Sequence, residues 1–235
     1  MKTPVYQVIE NDIKNKIQKG ELKRGDMIYS ENELKDMYFV SRMTVRQALN
    51  NLVNEGYLYR HKGKGTFVNH IKIEKKMQGL IGFTEEMRRM KKRVSSKIIT
   101  FDKLKADDEI ASNLFLKPGD DVYSIERIRY GDDIPVLFEH LFIPVAVFKD
   151  MDPHIMESSF YEYIENQLKI KISHCTQTLE AKGSNAMVSE ILDIPKSSPV
   201  LFMTRVTYSD RGFPFEFVKA YYRADQYRFI HQTFR

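Results

Sequence analysis

SRMTVRQALNNLVNEGYLYRHKGKGTFV, residues 41–68, decides how the front of this chain folds. Ser41 is a good N-cap, Val45, Ala48, Leu49 and Leu52 recur on one stripe at helical spacing, and Gly56 offers a left-handed position where the helix should stop. The spacing therefore predicts one amphipathic helix. Its other side carries Met43, Arg46, Gln47 and Asn50, with Arg42 and Thr44 in the first turn, side chains suited to phosphates and base edges. Just upstream, Ser30 and Glu33 form a capping box and Leu34, Met37 and Val40 supply an apolar side, so a second short helix precedes the first. Two helices joined this tightly predict a helix-turn-helix. After Gly56 the period changes to two: YLYRH, the turn KGKG, then TFV, a hairpin with a basic, glycine-rich tip. The whole reads as a winged helix-turn-helix.

Working outward, Thr3 is placed to cap a first helix with Pro4 at its first position, and Val5, Val8, Ile9, Ile13 and Ile17 give that helix an apolar stripe up to Gly20. On the other side, Asn69 to Gly79 (NHIKIEKKMQG) is basic and without clear periodicity, and reads as a linker between domains. Its Lys72, Lys75 and Lys76 would either touch DNA flanks or belong to a mobile tether. The expected division is residues 1–68, a linker at 69–79, and a second domain at 80–235.

The length of 235 residues fits two modest domains, and the charge is divided between them. Residues 1–93 carry 20 Lys plus Arg against 11 Asp plus Glu, a net +9, whereas residues 94–235 carry 17 against 21, a net −4. A polyanion partner is expected for the first part alone, because phosphate neutralisation supplies most non-specific DNA affinity. One cysteine, Cys175, excludes an internal disulfide. Without a long apolar run or a signal-like start, the chain is expected to be cytoplasmic, with no membrane partner.

The second part is organised by an internal repeat. EIASNLFLKPGDDVYSIERIRYGDDIPVLFE, from Glu109, is echoed about 77 residues later by MVSEILDIPKSSPVLFMTRVTYSDRGFPFEFV, from Met187. Each unit predicts a short helix, a Pro-containing turn, a strand, a tight turn and a returning strand. Arg127 matches Arg205, Tyr130 matches Tyr208 and Pro135 matches Pro214. Between the units lie a helix at Ser158 to Leu168, with Ser159 and Glu162 as a capping box, and the alternating strand KIKISHCTQTLEA. The fold class is α+β with a mostly antiparallel sheet.

Arg127 and Arg129 fall on the same strand face as Tyr123 and Ile125. Two arginines on an otherwise apolar face require an anion. With a three-residue loop of Gly131, Asp132 and Asp133, Glu139 would lie diagonal to Arg127 on that face, while a two-residue turn would send it to the other side. An internal Arg–Glu network is the structural alternative to a ligand. The helix opening at Ser159 adds N–H groups that attract anions.

The motifs IKNKIQKGELKRGD, SENEL, VSRMTVRQALNNLVNEG and GKGTFV, in this order, resemble the DNA-binding domain of the GntR family of bacterial transcription regulators. The remainder resembles the HutC-type branch, whose UTRA effector domain has a fold similar to chorismate lyase. Asn32 stands where the family usually has Arg, Tyr29 where Pro is common, and Phe39 where a small turn residue is usual.

The resemblance implies DNA contacts from Ser30, Ser41, Arg42, Thr44, Arg46, Gln47, Lys62, Gly63, Lys64 and Gly65. It implies effector contacts from Thr84, Arg127, Arg129, Glu139, Ser159, Phe160, Tyr161, Glu216 and Tyr222. Guanidinium groups with a helix N-terminus would hold a phosphate, and the two carboxylates would accept hydroxyl hydrogen bonds, which together describe a sugar phosphate. The expected protein is a homodimeric repressor on a near-palindromic double-stranded operator, needing no cofactor.

Catalytic and metal readings find little support. His174 and Cys175 are neighbours on a strand, hence on opposite faces, and cannot pair as base and nucleophile through adjacency. His61, His70, His140, His154 and His231 lack metal-ligand spacing, and no Walker or dinucleotide-binding glycine pattern is present. The competing class is an enzyme: a chorismate-lyase-like domain acting on a small anionic ligand, fused to a DNA-binding head.

Overall fold

The computed structural model describes residues 4–23, 25–69 and 72–233, in two compact units that divide between Lys72 and Ile73. The first unit contains α1 (Val5–Gln18), α2 (Glu31–Tyr38), α3 (Arg42–Asn54) and the hairpin β1 (Leu58–His61) with β2 (Gly65–Val68). Ile9, Ile13, Leu34, Val45, Ala48, Leu49, Leu52, Leu58 and Val68 form its core. Ser30 and Glu33 make both bonds of the capping box, and Ser41 accepts from the Thr44 amide. Gly56 takes a φ of 76° just past the end of α3. These are the boundaries that the sequence predicts for α2 and α3.

The stripe on α1 is rotated from the expected one. Val5 and Val8 are about half exposed, and Tyr6 packs on the core in their place; Met37 of α2 is likewise exposed. The buried face of α1 also includes Glu10, tolerated because Asn51 Nδ2 donates to its Oε1 at 2.6 Å. A polar group so satisfied costs little to bury, and it turns the helix away from the purely apolar stripe. Pro4 occupies the N-cap position of α1, and Thr3 lies outside the described residues.

Within the expected linker, Ile73–Lys76 forms a strand, β3, of the second unit. It pairs in parallel with β10 (Tyr227–Ile230) at the far end of the chain. Ile73 and Lys75 point inward, so Lys75 is buried and unavailable to DNA. A strand whose partner lies some 150 residues away leaves little local signal beyond the alternation in IKIEKK.

The rest of the second unit is one six-stranded antiparallel sheet with α4 (Phe83–Arg89), β4 (Val94–Lys105), α5 (Asp108–Leu114), β5 (Asp121–Gly131), β6 (Ile134–Pro144), α6 (Phe160–Asn166), β7 (Ile172–Gly183), α7 (Ala186–Ile191), β8 (Pro199–Ser209) and β9 (Pro214–Arg223). The strand order β4-β5-β6-β9-β8-β7 makes the repeat visible in space. Helix α5 with β5 and β6 corresponds to α7 with β8 and β9, and the two copies meet at the central β6–β9 pair. One sheet face packs on α5 and α7 through Phe142, Phe217, Phe138 and Val188. The other carries Tyr123, Ile125, Leu137, Val218 and Tyr222 and packs on α4, α6, β3 and β10.

The register of β5 and β6 corrects both loop alternatives. The turn is two residues long, with Asp132 and Asp133 both at positive φ (53° and 69°), as a primed hairpin turn requires. A bulge follows: Arg129 pairs with Leu137 and Tyr130 with Pro135, leaving Val136 as the extra residue. That one residue restores Glu139 to the face of Arg127, directly opposite it rather than diagonal. The second copy has a bulge at the matching place, where Thr207 pairs with Glu216 and Tyr208 with Pro214.

Candidate functional site

On the first unit, α3 presents an exposed groove lined by Met43, Thr44, Arg46, Gln47, Asn50, Asn51 and Asn54. Arg46 does not project freely. Its Nε and Nη2 donate to Glu31 on α2, Nη2 at 2.9 Å, and Arg42 Nε lies 3.4 Å from the same carboxylate. The Arg46 hydrogen bonds hold the Glu31 carboxyl below its usual range, although burial opposes them. A shared carboxylate thus fixes two cations at the start of α3. Ser41 and Thr44 are occupied with each other, Oγ to Oγ1 at 2.9 Å, while Ser30 is engaged with Glu33. In the wing, Lys64 N donates to the His61 carbonyl, with Gly63 at φ 77° and Gly65 at φ 130°. A Cβ on Gly65 would meet Met27 Sδ at 3.1 Å, so both its conformation and its contact favour glycine. Phe39, 94% exposed, fills the left-handed position after α2 at φ 53°.

In the second unit the two halves of the repeat contribute to one charged cluster under α4 and α6. Arg127 Nε donates to Glu139 Oε2 at 2.8 Å and its Nη1 to the Met156 carbonyl at 3.1 Å. Arg129 donates through Nη1 to Ser96 Oγ and the Ser158 carbonyl, and through Nη2 to Thr84 Oγ1 at 3.1 Å. Its guanidinium also lies 4.7 Å from the centre of the Phe83 ring. Glu216 accepts from Tyr161 Oη at 2.9 Å and from Thr207 Oγ1 at 2.8 Å. All five charged groups, Arg127, Arg129, Arg205, Glu139 and Glu216, are buried.

Their balance is the chemical fact that matters. Three arginines face two carboxylates, and Nε of both Arg129 and Arg205 is buried with no hydrogen-bond partner. Burial, reinforced by the neighbouring Arg127, brings the Arg129 pKa down to about 9. Burial alone would raise Glu139, but Arg127, Arg129 and Arg205 hold it below its usual range. Buried cations outnumber anions, and unmet donors remain, a combination that an incoming anion relieves.

Gly82, Phe83, Arg127, Arg129, Glu139, Ser159, Phe160, Tyr161, Arg205 and Glu216 line one small cavity of about 20 Å³. Of the expected effector residues, Thr84 lies behind Arg129 as its partner. Tyr222 lies aside, its ring against Tyr227 and Phe229 and 5.8 Å from Lys75 Nζ. The hydroxyl of Tyr161 is directed to Glu216, not to the N-terminus of α6. Only the Ser159 half of the second capping box forms, because Glu162 pairs instead with Arg88. Three lining residues were not anticipated from the sequence: Arg205, Gly82 and Phe83. The signal for Arg205 was present in the repeat, which aligns it with Arg127.

Helix α4 joins this cavity to β3. Thr84 meets Arg129, and two residues on, Glu86 Oε1 lies 3.4 Å from Lys75 Nζ while Tyr227 Oη donates to its Oε2 at 3.5 Å. Burial pushes Lys75 down and Glu86 up, opposed in each case by the attraction between the two. His174 stacks on Tyr208 at 4.7 Å, on the sheet face away from Cys175. Among the described residues no group of His, Cys, Asp and Glu could hold a metal ion, and no helix is long and apolar enough to cross a membrane.

Residues 5–68 match the family described as bacterial regulatory proteins, gntR family, and residues 89–228 match the UTRA domain. The chain belongs to the gntR family. It is 39% identical over 228 residues to the HTH-type transcriptional repressor NagR of Bacillus subtilis, covering 97% of this chain and 94% of NagR. It is 31% identical to the mannosyl-D-glycerate transport/metabolism system repressor MngR of Escherichia coli, covering 96% of this chain and 94% of MngR. Among solved structures, PhnF from Mycobacterium smegmatis has the same fold, with a TM-score of 0.69 at 23% identity over 98% of this chain and 99% of PhnF. This gntR-family chain is thus a DNA-binding transcription regulator of the HutC type, with a helix-turn-helix unit and a UTRA unit.

Proposed function

We propose that this regulator is a homodimeric repressor whose UTRA unit takes up a small anionic effector, a sugar phosphate, and thereby releases a near-palindromic operator. The observation that carries this reading is the excess of buried cation, three arginines against two carboxylates with two unmet Nε donors. The phosphate would sit against Arg127 and Arg129, where charge-assisted hydrogen bonds are strongest. Glu139 and Glu216 would accept from sugar hydroxyls. The names of two relatives support the same direction, since NagR and MngR are repressors and MngR serves a mannosyl-D-glycerate system.

The DNA contacts of this reading come from Arg42, Thr44, Arg46 and Gln47 of α3, with Ser30 and Ser41 at the helix starts and Lys62, Gly63, Lys64 and Gly65 in the wing. Phosphate contacts position such a unit, and base edges are read by the exposed side of α3.

A ligand changes DNA affinity only if it binds one arrangement of the protein better than another. The cavity is nearly filled, at about 20 Å³, so an effector must displace its wall. Helix α4 is the wall that links Arg129, through Thr84 and Glu86, to Lys75 on β3, the first strand after the DNA-binding unit. The test is a fluorescence-anisotropy titration of the full chain on its selected operator, with hexose phosphates added beside the unphosphorylated hexoses. Release by a phosphorylated compound alone is expected. Indifference to every phosphorylated sugar, with no rise in melting temperature, would sink the reading.

A further inference from the structure

Arg205 separates two cavities. One is the 20 Å³ cavity described above; the other is a cleft of about 260 Å³ between β7 and the segment 75–81, lined by Lys75, Lys76, Met77, Ser173, Cys175 and Gln177 among others. A cleft of this size holds several water molecules, or a ligand portion of similar bulk. Its lining includes two lysines and an arginine but no carboxylate. Lys75 is met by Glu86, whereas Arg205, 8% exposed, has a buried Nε with no partner. Gln177, opposite Arg205 in the β7–β8 register, spends its amide on a weak contact to Met77 Sδ at 3.6 Å. The cleft lining therefore collects cationic donors and contains no carboxylate.

We propose that Arg205, Lys76 and Gln177 form a second oxyanion subsite in this cleft, and that the effector is a phosphorylated sugar acid whose carboxylate binds there. The inference rests on the phosphate site at Arg127 and Arg129 and extends it. A carboxylate fits better than a neutral hydroxyl because the planar guanidinium offers paired donors matched to a planar anion. Arg205 is shared by both cavities, so one ligand can place its phosphate on one side and its carboxylate on the other.

The test uses a matched pair of probes, 6-phosphogluconate and glucitol 6-phosphate, which differ at one end by a carboxylate in place of a hydroxymethyl group. Binding to the full chain is measured by titration calorimetry. The carboxylate form should bind roughly tenfold or more tightly, since a charge-assisted bond is worth that much. Lys76→Gln, at an exposed position, and Gln177→Leu should each reduce this preference while leaving glucitol 6-phosphate affinity unchanged. Arg205→Gln should abolish it. Equal affinity for the two probes, or a preference that survives all three substitutions, overturns the subsite while leaving the phosphate site standing. Binding of neither probe overturns both.

Discussion

Arg127 and Glu139 face each other across β5 and β6, Nε to Oε2 at 2.8 Å, because one extra residue, Val136, interrupts the register of a two-residue hairpin. Without that bulge the carboxylate would lie on the opposite face of the sheet and the arginine would be buried without its nearest anion. The pair is therefore built into the sheet, and substitution has to be read with folding in view.

Arg127→Ala should destabilise the protein by about 1–3 kcal/mol, because Glu139 loses its direct hydrogen bond while Arg129 and Arg205 still offset its charge. Arg127→Ala with Glu139→Ala should recover part of that loss. A denaturant midpoint for both variants checks this, and a double variant no more stable than the single one would disprove the coupling.

At the DNA face, Arg46→Ala should weaken operator binding by about 1–3 kcal/mol and relax selectivity, whereas Lys64→Ala should weaken all sequences alike. Glu31→Gln should also relax selectivity, since it frees the guanidinium that the carboxylate now fixes. Anisotropy titrations on operator and scrambled DNA distinguish these effects.

His140 supplies a pH dependence. Burial, with Lys219 nearby and only partly offset by Glu126, lowers its pKa below the ordinary 6.5, and its Nε2 lies 2.8 Å from Ser124 Oγ. The unfolded chain then binds more protons than the native one at mildly acid pH. Its contribution to stability is complete above 6.5 and is lost as the pH falls through the lower folded value. Melting temperature should drop between pH 7 and 5, and His140→Gln should make that drop shallower.

The full chain should sediment as a dimer at micromolar concentration and bind its operator as two chains per site. One small reading head meets too few base pairs, and a two-fold pair doubles them. A single chain per operator, by mass photometry, would remove the near-palindrome from the account.

Local signals were legible and distant ones were not. The caps at Ser30 and Ser41, the stop at Gly56 and the duplicated helix–strand–strand units all follow from residues a few positions apart, and the structure has them where the sequence puts them. Strand β3 leaves little local signal because its partner, β10, lies some 150 residues further along the chain. The repeat aligns Arg205 with Arg127, but nothing local reveals that β6 joins β9 and brings the two copies onto one face. The α1 stripe departs from the expected one because a hydrogen-bonded Glu10 occupies a buried face that hydrophobicity alone would not assign to it.

The pairing of β3 with β10 also bears on how the protein comes into being. A ribosome adds roughly 5–20 residues per second and domains fold as they emerge, N-terminal first. The DNA-binding unit ends at Lys72, and the partner of β3 is not made until Tyr227 to Ile230. For roughly ten to thirty seconds each nascent chain carries a finished reading head and an unfinished regulatory unit. A stalled or truncated product would keep the head while lacking the last strand. A premature stop before Tyr227 would leave the head intact and β3 without its partner strand.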